Sequence, residues 1–202
     1  KNLGTHAVLD LLVEGVPSPA TKGSPIEVDG ASSALFVFKT VADPFAGRIS
    51  LFRVMRGAIK SDSTIANLTK EASERLGHLL LLQGKTQTEI AEIKAGDLGA
   101  VAKLKDTQTG HTLGDKDGVR FPPPTFAEPV LSYAVEPKAR GDEEKISTAL
   151  HRIIEEDPTI RYSRDPQTHE LLLAGQGQMH IEVTVAKLKR RFGVEVNLKL
   201  PR

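Results

Sequence analysis

The sequence predicts two folded units in series: an all-β barrel over about 32–120, then an α+β unit over 129–202. Three observations carry this. Between 34 and 105, β-branched or alternating runs recur at about 8–12-residue spacing with glycines between them, the rhythm of a barrel or sandwich. After 129, two stretches repeat apolar residues at helical spacing and are interleaved with short strands. Proline clusters, Val16-Pro17-Ser18-Pro19 and Phe121-Pro122-Pro123-Pro124-Thr125, separate these rhythms, because proline lacks a donor and cannot enter a sheet interior.

In chain order, residues 5–16 carry Ala7, Val8, Leu11, Leu12 and Val16 on one side of a helix that the first proline cluster ends. Residues 21–30 read as loop. Strands are predicted at 34–41, 48–54, 63–67, 74–82, 89–93 and 97–105, with Gly47, Gly57, Gly84, Gly96 and Gly110 as punctuation. Residues 121–128 form a stiff linker. Beyond it, 130–135 alternates as a strand. Asp142 is placed to cap a helix in which Ile146, Ala149, Leu150, Ile153 and Ile154 share a face, ending before Asp157-Pro158. Strands at 160–164 and 170–174 flank the turn Asp165-Pro166-Gln167-Thr168. A second helix carries Ile181, Val185, Leu188 and Phe192, stops at Gly193, and leads to a strand at 194–198. Strand–helix–strand–strand–helix–strand is the ferredoxin-like order, which hosts many functions and decides none.

Composition narrows the field. The chain has no cysteine, which excludes disulfides, thiolate metal sites and cysteine nucleophiles and suits a reducing, cytoplasmic setting. No run is long and apolar enough for a membrane span, so no membrane partner is expected. Twenty-seven basic against 26 acidic residues excludes a uniformly basic binder, and no DNA partner is expected. The chain opens on Lys1-Asn2 and closes on Leu200-Pro201-Arg202, and the expectation is a piece of a larger protein without a secretory signal.

Catalytic motifs fail on their chemistry. Gly84-Lys85-Thr86 resembles the end of a phosphate-binding loop, but Leu79 stands where the first glycine belongs, and a hairpin loop is the better reading. Gly175-Gln176-Gly177 opens a helix like a dinucleotide fingerprint, yet His180 occupies the third glycine position. Only 27 residues follow Gly175, too few for the parallel strands such a site needs. A tight strand-to-helix turn is expected there, with free amides that could meet an anion. His180-Ile181-Glu182 lacks the cysteines of a zinc deaminase, and the six histidines show no paired helical spacing. No catalytic residue, cofactor or metal is assigned to this chain.

Charge is nevertheless uneven. Lys39, Arg48, Arg53, Arg56 and Lys60 face one acid, Asp43, in their stretch. Lys187, Lys189, Arg190, Arg191, Lys199 and Arg202 face Glu195. Such patches suit phosphate backbones, although solvated faces explain them equally. Aromatic residues are only 4% of the chain, so contact with folded RNA is favoured over base stacking.

The motifs then carry a resemblance. Asp43-Pro44-Phe45-Ala46-Gly47-Arg48-Ile49-Ser50-Leu51-Phe52-Arg53-Val54 resembles the start of the second domain of bacterial elongation factor G. Ala95-Gly96-Asp97-Leu98 and the stretch 105–113 resemble its end. Glu128-Pro129-Val130-Leu131-Ser132, Val135-Glu136-Pro137-Lys138, Glu155-Glu156-Asp157-Pro158, the stretch 175–183 and Leu188-Lys189-Arg190-Arg191-Phe192 resemble the third domain.

The resemblance implies domains II and III of a translational GTPase: a translation-factor barrel at 32–120, a linker at 121–128 and a ferredoxin-like domain at 129–202. Residues 1–31 would then be the end of the preceding GTPase domain and a linker. It implies a parent that drives GTP-dependent tRNA and mRNA translocation, with GTP and magnesium held in another domain and no GTP hydrolysis by this piece. The implied partners are small-subunit ribosomal RNA and protein and the parent's other domains, with a monomeric chain. Lys39, Arg48, Arg53, Arg56 and Lys60 become RNA-contact candidates. Gly175, Gly177, Gln178, His180, Arg190 and Arg191 become ribosome or interdomain candidates. Gln178 and Met179 differ from the glutamate and leucine common in the family. A ribosome-protecting or back-translocating relative, or a nucleotide-binding enzyme domain, stands as the alternative.

Overall fold

The computed structural model describes residues 3–19, 21, 26, 32–43, 47–84, 86–116, 118–139 and 141–201. Most of the loop expected at 21–30, the Pro44-Phe45-Ala46 part of the signature, Lys85 and Arg202 lie outside the described residues.

The first unit is built on a long antiparallel pair, β1 (Ala34–Asp43) and β2 (Gly47–Arg56), with Thr40 opposite Ser50 and Asp43 opposite Gly47. Eight shorter strands follow: β3 (Ala58–Lys60), β4 (Thr64–Asn67), β5 (Ala72–Arg75), β6 (Leu79–Gln83), β7 (Thr86–Ile90), β8 (Glu92–Lys94), β9 (Leu98–Ala102) and β10 (Thr112–Gly114). One sheet has the order β5-β4-β10-β1-β2-β9-β6-β7, and β3 pairs with β8. Consecutive strands β5 and β6 therefore lie near opposite ends of the same sheet, which must curl to join them. Hydrogen bonds make that join: Leu76 N–H donates to Ser63 O (2.8 Å), and Leu79 N–H to Ser61 Oγ (2.9 Å). Ile65 of β4 and Leu79 of β6 consequently share one core with Leu35, Phe52, Val101 and Leu113. Closure of this kind leaves few open sheet edges.

Three predicted strands differ in detail. The run 74–82 is two strands, because fully buried Leu76 turns the corner between the sheet's ends. The run 89–93 breaks at Ala91, whose carbonyl accepts from Ser61 N–H. The run 97–105 ends at Ala102, where Lys103 takes a positive φ of 64° and donates its N–H to Arg48 O. Strands β3 and β10 are three residues each, too short to show a period in sequence.

The second unit comprises β11 (Leu131–Pro137), α2 (Glu143–Glu156), β12 (Arg161–Arg164), β13 (Leu171–Gly175), α3 (Gln178–Phe192) and β14 (Val196–Lys199). Its antiparallel sheet has the ferredoxin-like order β12-β13-β11-β14. Ile146, Ala149, Leu150 and Ile153 of α2 and Ile181 and Leu188 of α3 join Val135 and Leu173 in its core. In the predicted turn, Asp165 Oδ1 accepts from the N–H groups of Gln167 and Thr168, both at 2.8 Å. Gly193 closes α3 in the left-handed region, donating to Lys189 O. Asp142 corrects one expectation. It occupies the N-cap position without a side-chain cap, and its carboxylate holds Lys145 Nζ at 2.8 Å instead.

Ahead of both units lies α1 (Thr5–Gly15), which buries no residue and exposes Val8, Leu9, Leu11 and Leu12.

Leu150→Ala removes a fully buried side chain and is expected to cost about 2–5 kcal/mol in urea denaturation. Gly114→Ala is expected to cost about 1–3 kcal/mol, because its Cβ would stand 2.7 Å from the backbone oxygen of Ser33.

Candidate functional site

The polar chemistry of the chain concentrates where the barrel meets the α+β unit. Helix α2 ends in Glu155-Glu156, two carboxylates at the terminus where the helix dipole disfavours negative charge. Neither is left exposed to that cost. Arg48 Nη1 of β2 donates to Glu155 Oε1 at 3.0 Å. The backbone N–H of Ala42 in β1 donates to Glu156 Oε2 at 3.2 Å, and Arg191 Nη1 of α3 donates to the same oxygen at 2.9 Å. Lys187 Nζ stands 3.6 Å from Glu156 Oε1. Burial raises the Glu156 pKa, but the bonds from Arg191 and Ala42 and the nearby charges outweigh it, and the carboxyl sits below its ordinary value.

The barrel side of this clamp is itself held. Arg48 Nη2 donates to the carbonyls of Leu104 and Lys105. Those carbonyls are presented by a loop wound around Glu74, a carboxylate only 3% exposed. Glu74 accepts from Lys105 N–H (3.0 Å), Asp106 N–H (2.7 Å) and Thr107 Oγ1 (2.8 Å). A buried carboxylate with several donors organises backbone effectively. Thus Glu74 fixes the loop, the loop aims Arg48, and Arg48 holds Glu155.

A second attachment is the linker, which lies against both units as a strap. Phe121 N–H donates to Thr112 Oγ1 at 3.0 Å, and its ring meets Phe36 edge-on at 6.4 Å. Pro123 and Pro124 lie against Gly110, where a Cβ would meet them at 3.2 and 3.3 Å. On the other side, Gln176 Nε2 donates to Ala127 O (2.9 Å), and Arg161 pairs with Glu128 at 2.5 Å.

The turn Gly175-Gln176-Gly177 is closed to an anion at its middle amide. Gln176 N–H donates to His180 Nδ1 at 3.1 Å. His180 Nε2 lies 3.0 Å from Asp157 Oδ2, and Asp157 Oδ1 accepts from both Thr159 N–H and Thr159 Oγ1. Burial raises the Asp157 pKa, yet the bonds from Thr159 and His180 bring it below the ordinary value. A Cβ on Gly175 would stand 3.1 Å from His180 Nδ1, so glycine gives the imidazole its place.

The sequence candidates separate accordingly. Arg48, an RNA-contact candidate, is engaged in the seam with its side chain 16% exposed. Arg53 donates Nε–H to Gly96 O at 3.3 Å. Arg56 is half-buried at the end of β2, while Lys39 and Lys60 are exposed. Arg191 holds Glu156, and Arg190 is exposed. Gln178 donates to Glu182 at 2.8 Å, and Gly177 faces open space. Sequence reasoning passed over Glu155, Glu156 and Asp157 as site residues. The available signal was two acids closing a helix whose last turn has no base.

Among the described residues, no group of three or more His, Asp or Glu is arranged to hold a metal ion. Beside the phosphate-loop-like Gly84, Gln83 of β6 pairs with Thr86 of β7 in an antiparallel ladder. The seam contains clefts of about 270 Å³ and 120 Å³, both bordered by Ala42, Asp43 and Arg152. A further groove of about 660 Å³ is lined by β4, β5 and the segment after β10.

A curled β-sheet unit clamped to a ferredoxin-like unit is here a pair of translation-factor domains. The family description "Elongation factor G domain 2" matches residues 32–116, and "Elongation Factor G, domain III" matches 126–200. The chain belongs to the elongation factor G family, over its second and third domains. It is 41% identical to elongation factor G of Mycoplasma genitalium and 40% identical to that of Mycoplasma pneumoniae, each over 100% of this chain and 31% of the relative. The chain thus spans about a third of the length of these curated relatives. A solved protein of Thermus thermophilus superposes with a TM-score of 0.85 at 31% identity, over 98% of this chain and 29% of that one.

Acid should loosen the seam. The Glu156 pKa is depressed on folding, so its contribution is present above the ordinary value of 4.5 and is lost as pH falls through the folded value. Urea midpoints followed from about pH 6 to about pH 3 should fall less steeply for Glu156→Gln than for the parent chain. Arg191→Ala, which leaves Glu156 half-buried without its guanidinium, is expected to cost about 1–3 kcal/mol near neutral pH.

Proposed function

We propose that this chain is the ribosome-binding, coupling part of an elongation-factor-G-type GTPase that promotes GTP-dependent movement of tRNA and mRNA. The observation that carries the reading is the match to two successive elongation factor G domains, over residues 32–116 and 126–200. The domain division is 1–31, 32–120, 121–128 and 129–202, with the first segment closing the preceding GTPase domain. The exposed apolar residues of α1 support that assignment, since such a face is normally covered by a neighbouring layer. GTP and magnesium belong to that other domain, and this chain performs no hydrolysis. Its work is mechanical. The clamp and strap hold the barrel and the α+β unit in one orientation, so that a movement begun in the GTPase domain reaches the rest of the protein. The setting is the cytoplasm and the partner is the small ribosomal subunit, met by a monomer.

Lys39, Arg53 and Lys60 are the RNA-contact residues of this reading, with Arg56 beside them, and Arg48 is assigned to the clamp. Gly177 and Arg190 remain candidates for contact with ribosome or neighbouring domains. The test is co-sedimentation with small subunits over a salt series. Replacing Lys39, Arg53 and Lys60 by alanine should weaken binding and reduce the salt slope by about one unit for each phosphate no longer neutralised. An unchanged affinity and slope would remove the RNA assignment. GTP or NAD added to the chain alone should leave its melting temperature unmoved, whereas true binding at a hundredfold excess over Kd would add about 2.7 kcal/mol.

A further inference from the structure

We propose that His180 couples the two attachments between the barrel and the α+β unit, so that the linker strap and the Glu155-Glu156 clamp engage and release together. The inference concerns these two units alone and stands apart from the ribosomal reading.

The geometry is a continuous run of contacts. At the strap end, Gln176 Nε2 holds Ala127 O at 2.9 Å, and Val130 N–H donates to Gly175 O at 3.0 Å. The backbone of the same Gln176 donates to His180 Nδ1 at 3.1 Å. Nδ1 is therefore an acceptor, which leaves the proton on Nε2 to be donated to Asp157 Oδ2 at 3.0 Å. Asp157 is the C-cap of α2, its N–H bonded to Ile153 O at 2.8 Å, and it directly follows the clamp residues. From there Glu156 reaches Ala42 N–H, and Glu155 reaches Arg48. One imidazole thus links the turn that holds the strap to the helix end that carries the clamp. Both its nitrogens are used, and its ring is only partly exposed, with 23% of the side chain accessible.

Rigid elements pass displacement when a packed group ties them at two fixed points. A shift of the Gly175-Gly177 turn moves Gln176 N–H and with it the ring. The ring then either keeps Asp157, dragging the α2 terminus, or loses a hydrogen bond. His180 acts here as a positioning residue. Simple packing would let the two attachments weaken independently of each other, whereas coupling makes their losses depend on one another.

The absence of cysteine allows clean labelling. Spin labels placed through Thr88→Cys on β7 and Ser163→Cys on β12, both exposed, report the distance between the units in the 202-residue chain. Gln176→Ala loosens the strap while keeping the backbone donor to His180. Arg48→Ala opens the clamp. With His180 present, the wide-distance population of the double variant should fall at least about twofold below the product of the two single increases, because each single loss already weakens the other attachment. In a His180→Asn background the product rule should return, since asparagine still offers an acceptor to Gln176 N–H but cannot reach Asp157. Product behaviour or an excess with His180 present, or a shortfall that persists with His180→Asn, overturns the coupling. If His180→Asn loses helical circular dichroism, Asp157→Ser cuts the same link from the other side and replaces it in the comparison.

Discussion

The arrangement of this chain depends on one pair of carboxylates. Glu155 and Glu156 close α2 at the end where backbone carbonyls already concentrate negative potential, so on an isolated helix they would be unfavourable. Placed against the barrel they become the reverse. Glu156 accepts from a β1 backbone amide and an α3 arginine, and Glu155 accepts from a β2 arginine. The helix end and the barrel rim each satisfy what the other leaves open. Orientation of the two units is thereby tied at this seam to charge, which makes the seam responsive to protonation and ionic strength.

The supports of the clamp extend well behind it. Glu74 organises the loop whose carbonyls hold Arg48, and that loop is in turn tied through Thr107 to Asn67 and His111. Burial, the charges of Lys70 and Arg120, and other nearby groups lower the His111 pKa, which keeps its ring neutral as an acceptor for Asn67 and Gln108. On the far side, Asp157 and His180 fasten the helix end to the strand-to-helix turn. Polar groups in these places are satisfied almost throughout, as cooperative networks require. The proline strap adds a second attachment with little conformational freedom to lose.

Much of this was legible in the residues. The helix periods of α2 and α3, the turn at Asp165 and the stop at Gly193 are local properties, set by side-chain spacing and backbone preference. Strand boundaries in the barrel were less legible. Leu76 and Ala91 interrupt their runs to join opposite ends of a sheet, and nothing in neighbouring residues announces such a join. Asp142 shows the limit of local rules in another way, since a good capping residue is drawn off by Lys145. The candidate site divides similarly. Basic clusters are visible in sequence, but whether a given arginine meets solvent or a buried acid is not.

By itself, the sequence determined the two-unit order, the ferredoxin-like succession of elements, the lack of thiol chemistry and the resemblance to elongation factor G domains. These follow from periodicity, composition and contiguous motifs, all short-range properties. Only the tertiary structure decided that Arg48 belongs to Glu155 across 107 positions of chain, and that Ala42 offers its amide to Glu156 across 114. It also decided that His180 stands between a turn and a helix end. Partners so distant in sequence are chosen by closure of the barrel and docking of the helix, which no local pattern encodes.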